Sequence, residues 1–256
     1  MKVSIITTCY NREKTIAQAI ESVLNQDYPD IEYIVIDGGS RDDSLKIIRS
    51  YGSRISKVVS ERDGGMYEAI NKGIKMAEGD IVGLLHSDDF LIHNHIISEI
   101  VERFKQTAAD MVYGDGLFVD ADQTDKVIRD WRSGNYRRWK VRLGWLPLHP
   151  TVYIKRNVMG QYGLYNEKYQ IAADSDFLLR YLYKADLKVE YLGKYVLRMR
   201  MGGLSTDGKK RKAMWKEDVE MFRENGFWGV PEKILKMCWK VPQFVNAKLK
   251  REFVVE

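Results

Sequence analysis

The feature that most constrains this 256-residue chain is an alternation in its first third. Residues 3–10 (VSIITTCY), 31–36, 57–61 and 81–86 are short, apolar, largely β-branched runs. Between them apolar residues recur at helical spacing: Ile16, Ile20, Val23 and Leu24, then Leu45, Ile47 and Ile48, then the segment 66–77. Strand followed by helix, repeated, builds a parallel sheet with helices on both faces. Strands in such a sheet are buried on both sides and read as unbroken apolar runs, as these do. The expected fold class is therefore α/β, with a mostly parallel central sheet flanked by helices. Locally, Asn11 is expected to cap the first helix and Gly79 to close the third.

In open α/β sheets ligands bind beyond the carboxyl ends of the strands. The residues there are Tyr10-Asn11-Arg12, Asp37, Glu61 to Asp63, and Asp88-Asp89. The last pair closes the sharpest stretch of the chain, IVGLLHSDDF, an apolar run that ends on two adjacent carboxylates. Buried carboxylates are costly unless paired. An Arg or a divalent cation would pair them, and Mg²⁺ typically takes one or two carboxylates plus substrate phosphates. Ser87-Asp88-Asp89 could also cap the following helix. The convergence of other polar strand ends favours a ligand site. Neither a Gly-x-Gly-x-x-Gly nor a Walker-type Gly-Lys-Ser/Thr is present, which disfavours a dinucleotide dehydrogenase and a P-loop ATPase. A nucleotide held by carboxylates and a metal remains.

The second half reads differently. Strands are expected at 109–120, at 151–155 after His149-Pro150, and at 187–197. Residues 126–145 interleave Arg129, Arg132 and Lys140 with Trp131, Trp139 and Trp145. That mixture suits sugar stacking, phosphate contact or a membrane interface, and equally a solvated basic loop with its aromatics turned inward. Asp174 and Asp176 sit at the start of a helix. One carboxylate there is ordinary capping, and the other is a candidate general base. Residues 202–206 read as a flexible, lid-like loop. From 209 onward the chain is expected to be helical and basic. Over 233–251, Lys233, Lys236, Lys240, Lys248, Lys250 and Arg251 alternate with Ile234, Leu235, Met237, Trp239, Val241, Phe244, Val245 and Leu249, and Pro242 splits the segment. Either this tail lies on an anionic membrane surface, or its apolar residues pack inward while the lysines face water. On the membrane reading, truncation after Pro231 should release the protein from vesicles and leave donor hydrolysis intact.

Composition narrows the class. Hydrophobic residues at 45% and charged residues at 30% fit a globular protein with a substantial core. A net charge of +5 is too small to argue for nucleic acid, and acidic strand ends would repel it. Two cysteines provide no disulfide framework. No apolar run is long enough to span a membrane and the N-terminal run is too short for a signal peptide, so a cytoplasmic location is the default.

Five motifs, in order, resemble one family. They are Thr8-Cys9-Tyr10-Asn11-Arg12, Ile36-Asp37-Gly38-Gly39-Ser40-Arg41-Asp42, the segment 60–73 (SERDGGMYEAINKG), Ser87-Asp88-Asp89, and Ala173-Asp174-Ser175-Asp176. Over about residues 1–206 the chain resembles the inverting family 2 glycosyltransferases, which have the Rossmann-like, nucleotide-sugar-binding GT-A fold. The segment 60–73 is most similar to a bacterial surface-polysaccharide branch. The resemblance implies a catalytic domain over 1–206, with a donor half to about 110 and an acceptor half from 111, followed by a helical tail over 207–256. It implies donor binding by Thr8, Tyr10, Asn11, Asp37, Asp63, Ser87 and Asp88. Asp89 and Asp88 would hold Mg²⁺ or Mn²⁺ through the short form of the DxD signature, and Asp174 would be the general base. The donor would be a UDP-sugar. The acceptor would be a saccharide or polyprenyl-linked saccharide at the inner face of the plasma membrane, and the activity hexosyl or N-acetylhexosaminyl transfer. Gly38 stands where the family usually has Asp, and Ala173 where Glu is frequent. The alternative is a non-catalytic nucleotide-sugar-binding subunit of a polysaccharide synthase.

Overall fold

The computed structural model describes residues 1–202 and 211–249. Strands β1 (Val3–Cys9), β2 (Ile31–Asp37), β3 (Lys57–Ser60) and β4 (Ile81–Leu84) alternate with helices α1 (Ile16–Leu24), α2 (Ser44–Ser50) and α3 (Met66–Met76). The strands lie in the order β3-β2-β1-β4, and every pairing among them is parallel. The chain steps outward from β1 to β3 and then returns to β4 on the other side of β1. That reversal opens a crevice at the carboxyl ends of β1 and β4. Alternation along β1 feeds both faces: Ile5 belongs to the core with Ile20, Val35 and Ile100, and Ile6 to the core with Ile36, Ile70 and Phe177.

The remaining elements extend the sheet. They are β5 (Phe90–Leu91), α4 (Ile96–Thr107), β6 (Met111–Val119), β7 (Val127–Trp131), α5 (Arg138–Arg142), β8 (Tyr153–Lys155), α6 (Arg156–Tyr162), α7 (Ala173–Leu179, continued by one π turn), β9 (Val189–Arg200), α8 (Arg211–Glu224), α9 (Val230–Cys238) and α10 (Val241–Leu249). Beyond β4 the order is β8-β6-β9-β5, with β7 paired to β6. β1, β2, β3, β4, β6 and β9 run one way and β5, β7 and β8 the other, so the sheet is mostly parallel. Helices α7 and α8 cover one face and α1 and α4 the other. Among the described residues no helix is long and apolar enough to cross a membrane.

Several local expectations are corrected. Asn11 does not cap α1, which starts at Ile16. It adopts a left-handed conformation (φ 52), donates its N–H to Ser40 Oγ at 2.9 Å and accepts the Arg41 N–H at 2.8 Å, so it ties two strand-end loops together. Gly79 does not close α3, because the chain is already extended at Ala77. Gly79 instead crosses β1 so closely that a Cβ would lie 2.6 Å from Ser4 Oγ. The strand expected at 151–155 begins only at Tyr153, since His149–Thr151 is a 3₁₀ turn. The expected basic loop contains β7, whose Arg129 is buried. Residues 203–206 of the expected lid lie outside the described residues, as do Lys209, Lys250 and Arg251 of the tail.

Candidate active site

Asp37 ends β2 fully buried. Its carboxylate accepts the Ser60 hydroxyl at 2.6 Å and the Ser40 N–H at 3.2 Å, which locks the ends of β2 and β3 together. Gly38 follows. A Cβ there would lie 3.4 Å from Asp63 Oδ2 and 3.7 Å from the Tyr10 ring. The two sequence-selected residues Tyr10 and Asp63 thus border one space, roofed by backbone at Gly38. Lys72 binds Asp63 Oδ1, while Oδ2 is buried without a hydrogen-bond partner. An Asp at position 38 would set a second carboxylate against that oxygen, so Gly38 and Asp63 fit each other. The Tyr10 ring is 54% exposed, leaving a face on which a base can stack. Thr8 is half-buried on β1 at the same end.

Beyond β4 the chain turns tightly, with the Asp89 N–H donating to the His86 carbonyl at 3.0 Å. Ser87 is buried, and its carbonyl accepts the Thr15 hydroxyl at 2.9 Å. Asp89 is 1% exposed. Its Oδ1 accepts the Arg200 N–H at 3.2 Å, and its Oδ2 has no partner. The Arg200 guanidinium donates to the Asp88 carbonyl at 2.6 Å, and Arg12 Nε lies 3.7 Å from Asp88 Oδ2. Burial, then the Asp88 charge, push the Asp89 carboxyl well above the usual carboxylate range, against Arg200 and Arg12. A cation at Asp89 Oδ2 would reverse that balance. Among the described residues no cluster of three or more His, Cys, Asp or Glu side chains could hold a metal. Two carboxylates and an orphaned oxygen fit a hard ion whose other ligands come from a diphosphate, and do not fit an all-protein cage.

The opposite wall is the start of α7. Asp174 is partly buried and accepts the Ser175 N–H at 2.7 Å. Burial raises its carboxyl above the ordinary range, and Lys236 of α9 is the principal opposing charge. Lys236 Nζ donates to Ser175 Oγ at 2.7 Å and to Asp218 at 2.7 Å. Glu217 of α8 accepts the N–H groups of Ile171 and Ala172, at 2.8 and 3.0 Å, where the chain enters α7. Ala173 is wholly buried in the core, a position with no room for a solvated Glu. Asp176 points elsewhere: it pairs with Arg180 at 2.9 Å and accepts the Asn225 amide at 2.9 Å. The His86 ring lies 6.4 Å from that of His149, which lies 6.4 Å from Phe177 of α7, so the loop that carries Asp88 and Asp89 neighbours the start of α7; burial lowers the His86 pKa. His149 is buried against the Tyr165 hydroxyl at 2.6 Å and is pushed down to about 3 by burial and by His86, so it is neutral.

The structure therefore brings Thr8, Tyr10, Asn11, Asp37, Asp63, Ser87, Asp88 and Asp89 to the strand ends, and the helix that carries Asp174 packs next to the last of them through His149. His86, Glu217, Arg200 and Lys236 were not singled out as site residues by the sequence. His86 was within reach, two positions before Asp88 in a strand-end loop. Arg200 and Lys236 carry no local signal, because each joins the site from a distant element.

Residues 4–165 match the family model described as glycosyl transferase family 2. The chain belongs to glycosyl transferase family 2. The match ends before α7, so Asp174 lies beyond it. An uncharacterised glycosyltransferase of Mycobacterium tuberculosis is 31% identical to this family 2 chain over 182 residues, 70% of this chain and 68% of the relative. A glycosyltransferase of PGL/p-HBAD biosynthesis from Mycobacterium bovis is 27% identical over 214 residues, 79% and 78% of the two chains. Among solved structures, S. aureus TarS 1–349 in complex with UDP-GlcNAc superposes with a TM-score of 0.69 at 20% identity, covering 97% of this chain and 73% of that one. The chain spans 44% of the longer TarS structure. A Pyrobaculum calidifontis mannosyltransferase, in complex with GDP-Man and Mn²⁺, gives a TM-score of 0.63 at 15% identity and covers 96% of this chain and 73% of that one. These likenesses establish the GT-A fold.

Proposed function

We propose that this family 2 glycosyltransferase moves a hexosyl or N-acetylhexosaminyl group from a UDP-sugar to a hydroxyl of a saccharide or lipid-linked saccharide, with inversion, in cell-surface polysaccharide synthesis. The observation that carries the reading is the meeting of two acidic elements: Asp88 and Asp89, with an orphaned carboxylate oxygen, in a loop that packs through His86 and His149 onto α7, the helix that carries Asp174. Thr8, Tyr10, Asn11, Asp37, Asp63 and Ser87 line the base and ribose end of the donor site. Asp89, with Asp88, would hold Mg²⁺ or Mn²⁺, which would neutralise charge developing on the departing diphosphate. Nucleotide-sugar complexes of proteins with this fold support the donor class.

Asp174 acts on the acceptor. Its carboxylate takes the acceptor hydroxyl proton as that oxygen attacks the anomeric carbon. The new C–O bond forms on the face opposite the breaking bond to the phosphate oxygen, and UDP leaves with the electron pair. One displacement inverts the centre. A carboxyl raised by burial is a stronger base than an exposed one, which suits this role. Residues 1–206 would form the catalytic domain and 207–256 a helical appendage. The exposed apolar residues of α9 and α10 would rest on an anionic bilayer at the cytoplasmic face, where a lipid-linked acceptor is presented. A screen of UDP-sugars with Mn²⁺, reading UDP release and thermal stabilisation, tests the reading. Stabilisation and metal-dependent release are expected with at least one UDP-sugar. Stabilisation without release by any acceptor-independent or acceptor-dependent route favours the non-catalytic subunit, and neither response refutes both.

A further inference from the structure

Away from the strand ends, a cavity of about 180 Å³ lies between β7, the segment around α5, and helices α9 and α10. At about 30 Å³ per water it has room for roughly six waters. Its wall carries Arg132, Lys140, Lys236 and Lys240, and among the described residues its only carboxylate is Asp130. Asp130 is already used, by Arg132 at 3.1 Å and by the Tyr195 hydroxyl at 2.8 Å. Lys236 is held by Asp218, and Lys140 donates to the Asn135 carbonyl. Lys240 has neither: among the described residues its ammonium makes no hydrogen bond or ion pair.

Directly behind the wall is a second uncompensated cation. Arg129 of β7 is 6% exposed and has no carboxylate partner among the described residues. Its Nε donates to Gln243 Oε1 at 2.6 Å, and Gln243 itself lines the cavity. The guanidinium lies over Trp131 at 4.2 Å and Phe118 at 4.8 Å, and its Nη2 is buried without a partner. Burial, then the charges of Lys236, Arg129 and Lys233, push Lys240 down to about 8. Gln243 links the two cations, lying on Arg129 and on the cavity wall beside Lys240, and among the described residues neither has a carboxylate to offset its desolvation.

The geometry points to an oxyanion site: the cavity between β7, α5 and α9–α10 takes a phosphate group, as a monoester or diester, on Lys240 with Lys236 and Arg132 on the same wall and Arg129 behind it through Gln243. Phosphate suits it because several acceptor oxygens can take several convergent N–H donors at once, and a mixed set of guanidinium and ammonium groups is the usual host. The phosphate can belong to a lipid headgroup or be free in solution. The inference stands apart from the sugar-transfer reading, since no residue of the donor or base walls other than Lys236 takes part.

The test uses the full chain and the cavity's own reporters, Trp131, Trp145 and Trp239. Inorganic phosphate is titrated against chloride at equal ionic strength, reading tryptophan emission and melting temperature. Vesicles of phosphatidate in phosphatidylcholine form the second arm, read by co-sedimentation. Lys240→Gln is expected to weaken phosphate or vesicle binding at least tenfold, and Lys240→Arg to retain it. Without ligand, Lys240→Gln should melt no lower than the parent, because it removes an unpaired cation; this separates loss of binding from loss of fold. A response to phosphate alone assigns a soluble ligand, and a Lys240-dependent response to vesicles alone assigns a headgroup. If phosphate acts no differently from chloride and Lys240→Gln leaves vesicle binding unchanged, the site does not bind phosphate.

Discussion

Asp174 and Asp176 are neighbours in sequence with separate environments, and substitution should divide them. Asp174→Asn keeps the shape and removes the proposed base, so kcat should fall by about two to four orders of magnitude with donor affinity unchanged. Asp176→Asn breaks the contacts to Arg180 and Asn225 and should lower stability by about 3 kcal/mol while leaving chemistry in the folded fraction. In the proposed role the Asp174 carboxyl must be ionised to act. Because burial raises the Asp174 carboxyl, kcat/KM should fall on acidification at a pH above the ordinary carboxylate range. Lys236→Met removes the main charge opposing that rise and should move the acid limb to still higher pH, measurable in a pH–rate profile. At the other wall, Asp89→Ala should abolish divalent-dependent transfer; full activity of that variant in a chelator refutes the metal assignment. Asp88-Asp89 was legible because two carboxylates ended an apolar run. Arg200, which binds both, was not, since nothing near it in the chain announces the contact.

At the scale of elements, β2 hides a charged stitch within an apolar run. Glu32 is 2% exposed and binds Lys57 at 2.8 Å, the Ser4 hydroxyl at 2.5 Å and the Glu78 N–H at 2.8 Å. It joins β1, β2, β3 and the turn before β4. Burial alone would raise its pKa, but Lys57, Ser4 and Glu78 outweigh burial and lower it to about 2. The folded value lies below the unfolded one, so this stabilisation is complete above the unfolded pKa and is lost as pH falls towards 2. Glu32→Gln should cost about 3 kcal/mol at neutral pH, roughly 6–12 °C in melting temperature, and should flatten the fall in Tm between about pH 5 and 2. The four parallel strands were legible because burial on both faces leaves an unbroken apolar signature. β5 is two residues long, and β7 carries Arg129 and Asp130 inside a basic, aromatic stretch. β5 is too short to show a period, and in β7 tertiary partners rather than alternation put the charges inside.

At the scale of the molecule, the C-terminal helices invert the packing that simple amphipathicity suggests. Lys233 and Lys236 turn inward to Asp218, which is 2% exposed, and Trp239 donates to the Leu143 carbonyl at 3.0 Å. Ile234, Met237, Val241 and Val245 face out, at 49, 48, 60 and 48% exposure. Truncation after Pro231 is therefore not the clean release anticipated from the sequence: it would strand a buried Asp218 without its cations and should destabilise the catalytic unit by several kcal/mol. The proposed bilayer contact needs surface changes instead. Lys233 and Lys236 are committed to Asp218, so apolar burial should carry most of the contact and high salt should weaken vesicle binding less than for a fully free polybasic tail, which would lose about 1 kcal/mol per screened lysine. Replacing Met237, Val241 and Val245 together by Ser removes exposed apolar area without touching Asp218, Lys233 or Lys236. This variant should keep its melting temperature within about 2 °C of the parent and lose at least tenfold in co-sedimentation with anionic vesicles. Co-sedimentation equal to the parent's would mean that the outward face of α9 and α10 does not meet the bilayer.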